Sequence, residues 1–145
     1  MIYLAGSCGK EQRPVMEKIA QFLRDKNVDV YCPFELKIPN AWDYSQEDWA
    51  RLVYEADVKA INNCDMLLLI SAGRMSSAGT NWEQGYAFAK NKKIMVVQYT
   101  DQPTSLMTYC GCTKFISSTE ATLLEDINKA LFEEYTQDKC NTVLT

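Results

Sequence analysis

Two carboxylates occupy places in this chain that solubility alone does not explain. Glu83 lies in Gly79-Thr-Asn-Trp-Glu-Gln-Gly-Tyr-Ala87, beside Trp82, Gly85 and Tyr86, neighbours that indicate tight packing rather than a solvated face. Asp57 sits between Ala56 and Val58 in an apolar stripe, unusual for a carboxylate unless it faces a pocket. The chain contains no histidine. That excludes Ser-His-Asp and Cys-His mechanisms, His-containing zinc sites and a histidine general base. Two carboxylates across a crevice are then the obvious nucleophile and acid, and the chemistry they suit is cleavage of a glycosidic bond. The plain alternative for Glu83 is a first-turn glutamate complementing a helix dipole, worth a few tenths of a kcal/mol. Asp65, at a strand start, reads as a turn or capping residue.

Other candidates are weaker. Gly6-Ser7-Cys8-Gly9 follows the first apolar segment and could hold an anion against a helix start. It lacks the G-x-G-x-x-G spacing and the P-loop Lys-Ser/Thr pair, so a structural turn is an equal reading. The segment from Phe34 to Tyr44 carries Trp42 and Tyr44, which either stack on a flat ring or pack the loop down. The acidic residues show no ligand spacing, so neither a metal nor a cofactor is expected.

The elements that must position these residues follow from periodicity. Ile2 to Ala5, Val28 to Cys32, Asp65 to Ile70, Lys93 to Tyr99 and Lys114 to Ile116 read as strands. Glu11 to Asp25, a segment from the cap Ser45 to Asn63, Asn81 to about Asn91 capped by Thr80, and a last segment from the cap Thr119 to near Tyr135 read as helices. Strands alternating with helices give an α/β domain, and five strands in 145 residues favour a flavodoxin-like (Rossmann-like) parallel sheet with helices on both faces. One domain over residues 1–135 and a mobile tail over 136–145 are expected. Ligands in such sheets bind beyond the carboxyl ends of the strands. The loops there are Gly6 to Gly9, Pro33 to Tyr44, Ser71 to Gly79 and Thr100 to Gly111.

Composition narrows the class. Apolar residues make up 47% and charged residues 23%, which argues against disorder. The net charge of -4 argues against a partner that is a nucleic acid polymer. The apolar run Met66 to Ile70 is too short to span a bilayer. Six cysteines, at positions 8, 32, 64, 110, 112 and 140, include no C-x-x-C. With no signal peptide apparent, they read as reduced, mostly buried thiols of a cytoplasmic protein.

Four motifs in order carry a resemblance over nearly the whole chain. They are Ile2-Tyr-Leu-Ala-Gly-Ser7, Asp57-x-x-x-Ile-x-x-x-Asp65, Gly79-Thr-x-x-Glu-x-Gly-Tyr-Ala87 and Ser105-Leu-Met107. Together they resemble the nucleoside 2-deoxyribosyltransferase family, and Trp49-Ala-x-x-x-Tyr54-x-x-Asp57 looks like a helix of its bacterial transferases. The resemblance implies that Glu83 is the nucleophile forming a 2-deoxyribosyl ester, and that Asp57 manages the proton on the leaving base. It further implies that Tyr3 orients the nucleophile and that Met107 lines the sugar site, often from a neighbouring subunit. Gly6, Ser7, Gly79, Phe34 and Trp42 join them as expected substrate contacts. The implied partners are a deoxynucleoside or deoxynucleotide and a nucleobase, with a homo-oligomer sharing its active sites.

The departures matter. Typical transferases have Asp six residues before the nucleophile, where this chain has Ser77, and often Asn two residues before the methionine, where it has Ser105. Serines at these positions resemble the 2′-deoxynucleoside 5′-monophosphate N-glycosidases, a branch of the same superfamily in which they hold the phosphate. The alternative is that small polar loop residues interchange freely. The loop Phe34 to Tyr44 looks more like the transferases. Beside the transferase stand an N-hydrolase using the same residues, a non-catalytic nucleotide-binding signalling module, and flavin binding on fold grounds alone.

Overall fold

The computed structural model describes residues 1–74, 76–133 and 143–145. Five strands, β1 (Ile2–Gly6), β2 (Val30–Tyr31), β3 (Met66–Ser71), β4 (Lys93–Gln98) and β5 (Lys114–Ser117), form one sheet in the order β2-β1-β3-β4-β5. Every pairing is parallel, and the switch in strand order falls beside β1. The expected flavodoxin-like order is therefore the observed one. Strand β2 is shorter than its alternating sequence implied: only two residues pair, because it is an edge strand that Pro33 ends.

Helices α1 (Arg13–Asp25), α2 (Gln46–Asn63), α3 (Ala78–Ala89), α4 (Leu106–Cys110) and α5 (Leu123–Phe132) complete the chain. Alternation along the strands divides the core in two. Leu4, Leu68, Ile70, Met95 and Val97 pack against Met16, Ile19 and Leu23 of α1 and Leu123 and Ile127 of α5. Tyr3, Ala5, Leu67, Leu69, Ile94 and Val96 pack against Ile61 of α2 and Ala87 of α3. Leu67, Leu68 and Leu69 are fully buried, so the central strand is covered on both faces. Truncating any of them to alanine is worth about 2–5 kcal/mol on the general experience of core cavities.

Several helix boundaries differ from expectation; α1, for one, starts at Arg13 and not at Glu11. Ser77, not Thr80, caps α3: its Oγ accepts from Thr80 N at 3.2 Å, and the helix begins at Ala78. Glu83 therefore lies in the second turn, beyond the reach of the helix-end charges that a first-turn position would offer. Thr119 makes a turn ahead of α5, accepting from Thr122 N at 3.2 Å, and α5 starts at Leu123 and ends at Phe132. Tyr135 lies outside the described residues. The cap Ser45 is as expected, accepting from Asp48 N at 3.1 Å.

Of the expected mobile tail, residues 136–142 lie outside the described residues. Residues 143–145 are bound in place: Val143 O accepts from Thr104 N at 2.9 Å, and Thr145 N donates to Thr104 O at 3.0 Å. Cys32 and Cys64 are buried, but Cys8 and Cys110 are exposed and Cys112 is intermediate, so the thiols are less buried than their apolar surroundings implied. Cys140 lies outside the described residues. Among the described residues no helix is long and apolar enough to cross a membrane.

Candidate active site

Parallel register builds the site. Tyr3 and Tyr31 are partners across β1 and β2 and share the sheet face that looks towards α2 and α3. Their rings stack with centroids 5.3 Å apart and planes 24° from parallel. Each phenol takes one carboxylate. Tyr3 donates to Glu83 Oε2 from α3, and Tyr31 donates to Asp57 Oδ1 from α2 at 2.8 Å. The two carboxylates singled out from the sequence thus converge on adjacent strands through a pair of stacked tyrosines.

Burial sets the electrostatics. It lifts Glu83 to about 7; the nearby Asp57 charge adds to the rise and the Tyr3 hydrogen bond opposes it. Burial also raises Asp57, opposed by the Tyr31 hydrogen bond. Both phenols are held above the ordinary tyrosine value, by burial first and then by the carboxylates they face. Tyr3 and Tyr31 are therefore donors, not bases. Buried beside the Asp57 charge, Glu83 therefore holds a proton into the neutral range.

The two helices are fastened to each other on their outer side. Tyr54 of α2 meets Trp82 of α3 edge-on at 5.4 Å, and Trp82 stacks on Tyr86 at 5.2 Å with planes 8° apart. Tyr86 donates to Asn62 Oδ1 at 2.9 Å. These contacts bracket Asp57 in α2 and Glu83 in α3, but Trp82 is 46% exposed and Gly85 has nothing within 4 Å of its Cβ position, so the neighbours of Glu83 pack less tightly than expected.

Two residues facing the site were not singled out from the sequence. Tyr31 could have been found by placing β1 beside β2 in parallel register, since that pairs it with Tyr3. The Cys8 thiol of the first loop donates to Gly6 O at 3.5 Å and is raised by burial and then by the charges of Glu83 and Asp57, opposed by Arg13. No spacing signal marks it.

The remaining expected contacts are distributed differently. Gly6 ends β1 under α1: a Cβ there would lie 2.7 Å from Met16 Cε and 3.1 Å from Ile70 O, so packing requires its glycine. Ser7 lines a narrow slot with Gln12, Ala72 and Tyr99. Gly79 has nothing within 4 Å of its Cβ position. Ser77 lies 2.8 Å from Thr80 Oγ1 besides capping α3. Phe34 packs on the α1 face of the sheet, with the Arg13 guanidinium 5.6 Å from its ring centroid, so it stands on the other face from Tyr3. Trp42 is 83% exposed, which removes the reading that it packs the loop down.

Ser105 and Met107 do not join the carboxylates within one chain. They line a groove of about 450 Å³ with Asn81, Gln84, Phe88 and Gly111, on a different side of α3 from Glu83. Met107 is 74% exposed there. Gln84 ties α3 to α4 beneath this groove, its buried Nε2 donating to Thr108 O at 2.9 Å and Gly111 O at 3.0 Å.

Two carboxyls, each bonded to a phenol on one face of a parallel α/β sheet, define a class of site whose chemistry suits displacement at a carbon bearing a leaving group. The family model described as nucleoside 2-deoxyribosyltransferase matches residues 2–137, and the chain belongs to that family. It is similar in structure to a 2-deoxyribosyltransferase of the psychrotolerant bacterium Bacillus psychrosaccharolyticus, at 26% identity and a TM-score of 0.78, over 93% of this chain and 98% of that one. The fold is also that of the Clostridium botulinum CMP N-glycosidase BcmB, at 20% identity and a TM-score of 0.61, covering 88% and 97% of the two chains. A conserved protein of Enterococcus faecalis V583 shares it too, at 23% identity and a TM-score of 0.61, covering 90% and 98%. No curated protein sequence matches the chain.

Proposed function

We propose that the protein is a nucleoside 2-deoxyribosyltransferase that acts through a covalent ester on Glu83. The observation that carries this is the pair of phenol-bonded carboxyls, Tyr3 to Glu83 and Tyr31 to Asp57, on the sheet face towards α2 and α3. A 2-deoxyribosyl cation lacks the electron-withdrawing 2-hydroxyl and forms relatively easily. Glu83, aimed by Tyr3, attacks the anomeric carbon as the carbon–nitrogen bond breaks. Asp57 passes a proton to the departing base. A second base then gives its N–H proton to Asp57 and attacks the anomeric carbon from the face the first one left; the ester C–O bond breaks, Glu83 is freed as a carboxylate, and two displacements retain configuration. Water in place of that base gives hydrolysis, so transfer depends on base binding and on the exclusion of water. A non-catalytic nucleotide sensor has no need of an acid and nucleophile pair.

The second reading is a 2′-deoxynucleoside 5′-monophosphate N-hydrolase, and Ser77 and Ser105 favour it. A serine can donate to a phosphate, whereas an ionised aspartate at position 77 repels it. If Thr80 Oγ1 supplies the hydrogen in its contact with Ser77, the Ser77 hydroxyl keeps its own to give. Ser77→Asp is expected to depress any activity on deoxynucleoside monophosphates far more than on deoxynucleosides, as steady-state kinetics on both would measure. Aspartate is also a good cap, so α3 stays capped in the variant. The prediction needs Ser77 and Ser105 to face one pocket, within a chain or across a subunit boundary. A homo-oligomer in which exposed Met107 reaches a neighbour's sugar site belongs to the same proposal.

The deciding experiment incubates the protein with a deoxynucleoside, and separately with its 5′-monophosphate, each with and without a second free base. A new nucleoside supports transfer. Free base from the monophosphate alone, with no exchange, makes the hydrolase the function. No divalent ion is required in this chemistry, and turnover is expected to be unchanged by a chelator. Activity lost on chelation and restored by a divalent ion would overturn that expectation. Among the described residues no three ligating side chains gather into a metal site.

A further inference from the structure

The proposed chemistry gives Glu83 and Asp57 their roles, but it leaves Tyr31 unused. Tyr31 is half-buried, stacked on Tyr3, and its hydroxyl lies 2.8 Å from Asp57 Oδ1. It stands on the edge strand, where two paired residues fix its position. A tyrosine needed only for packing has no reason to end on a carboxylate that is itself partly buried.

We propose that Tyr31 is the positioning residue of Asp57: its phenol occupies Oδ1 and fixes the carboxyl plane, so that Oδ2 is the oxygen presented to the departing base. This rests on the reading of Asp57 as the acid. An aspartate carboxyl swings about its last torsion with little preference. One directional hydrogen bond from a rigid, stacked ring removes that freedom before substrate arrives. The same bond acts on the proton. A donor to the ionised carboxylate favours ionisation, so Tyr31 and Tyr3 pull the proton shared by the pair in opposite directions. The groups facing this pair are Tyr3 and Tyr31 from the strands, Asp57 from α2, Glu83 from α3, Cys8 from the first loop, and Arg13 from α1, which acts on Cys8.

Tyr31→Phe keeps the ring and the stack and removes only the donor. Compared at each protein's optimum pH, kcat/KM is expected to fall roughly tenfold for deoxynucleosides with poor leaving bases, and less for bases that leave readily. The pH at which activity is lost on the basic side is expected to rise, because Asp57 without its donor keeps the proton longer. A packing role would lower activity equally for all bases and leave that limb in place, and either result would overturn the proposal. Carbon-13 titration of the aspartate carboxyls gives a readout that does not need turnover. The Asp57 midpoint should move up in Tyr31→Phe, and an unmoved midpoint rejects the proposal. Glu83→Ala separates the two ideas: a fully active Glu83→Ala protein breaks the underlying reading, whereas an inactive one beside a wild-type-like Tyr31→Phe breaks only the role of Tyr31.

Discussion

Glu83→Ala is expected to lower turnover by at least roughly 10⁴-fold while the protein stays folded, because on the proposed mechanism it removes the carboxylate that forms the ester. Far-ultraviolet circular dichroism and a product assay measure the two halves of that statement, and near wild-type turnover would remove Glu83 as nucleophile. The alanine variant leaves the buried Tyr3 hydroxyl without its acceptor, so Glu83→Gln is the cleaner probe of stability. Glu83 in the folded protein stands at about 7, above its ordinary value of 4.5. A raised carboxyl favours the folded state fully below the unfolded value, and that advantage is lost as pH rises through about 7. Glu83→Gln cannot take on the charge. It should therefore exceed wild type in stability by a few kcal/mol at about pH 8 and differ little at about pH 5. Thermal or urea unfolding at the two pH values gives the comparison, and a variant that is dead yet more stable is the signature of a strained functional group.

Asp57→Asn should cost about 10²–10⁴-fold on bases that leave poorly, the usual contribution of a general acid, with partial sparing of bases that leave readily. Its pH profile should change shape as well. On the proposed mechanism the reactive form of the wild type carries one proton in the pair, so activity should fall as that proton leaves through about pH 7. In Asp57→Asn only Glu83 titrates. Residual activity should then rise with pH, on a limb below the wild-type value because the Asp57 charge that lifted Glu83 has gone. An equal loss across leaving groups would make Asp57 a positioning group and not a proton donor.

Strand order and the two-sided core were legible because runs such as Asp65 to Ile70 have no polar face to lose, and a buried parallel strand is the ordinary home for such a run. Asp57 and Glu83 were legible because carboxylates among apolar and aromatic neighbours violate the usual pattern. The α3 cap was not, since Ser77 and Thr80 are both competent caps three residues apart, and only the loop geometry decides between them. Tyr31 was hidden for a different reason. Its partner is set by inter-strand register, a long-range fact that no local window contains. Phe34 and Trp42 share a loop yet part company, one under Arg13 and one in solvent, because the loop bends through two short turns, Pro33–Glu35 and Ala41–Asp43.

Helix α4 is five residues long, well below the length at which a helix holds itself in water. It persists because Gln84 fills the carbonyls of Thr108 and Gly111 and because residues 143–145 pair with the segment leading into it. Its stability is borrowed from those contacts, and hydrogen exchange is expected to show this region opening at a lower free energy than the sheet. Such opening would involve Ser105 and Met107, whereas Tyr3, Tyr31, Asp57 and Glu83 belong to β1, β2, α2 and α3. The fold thus holds the tyrosine–carboxyl pairs more firmly than the groove that Met107 lines.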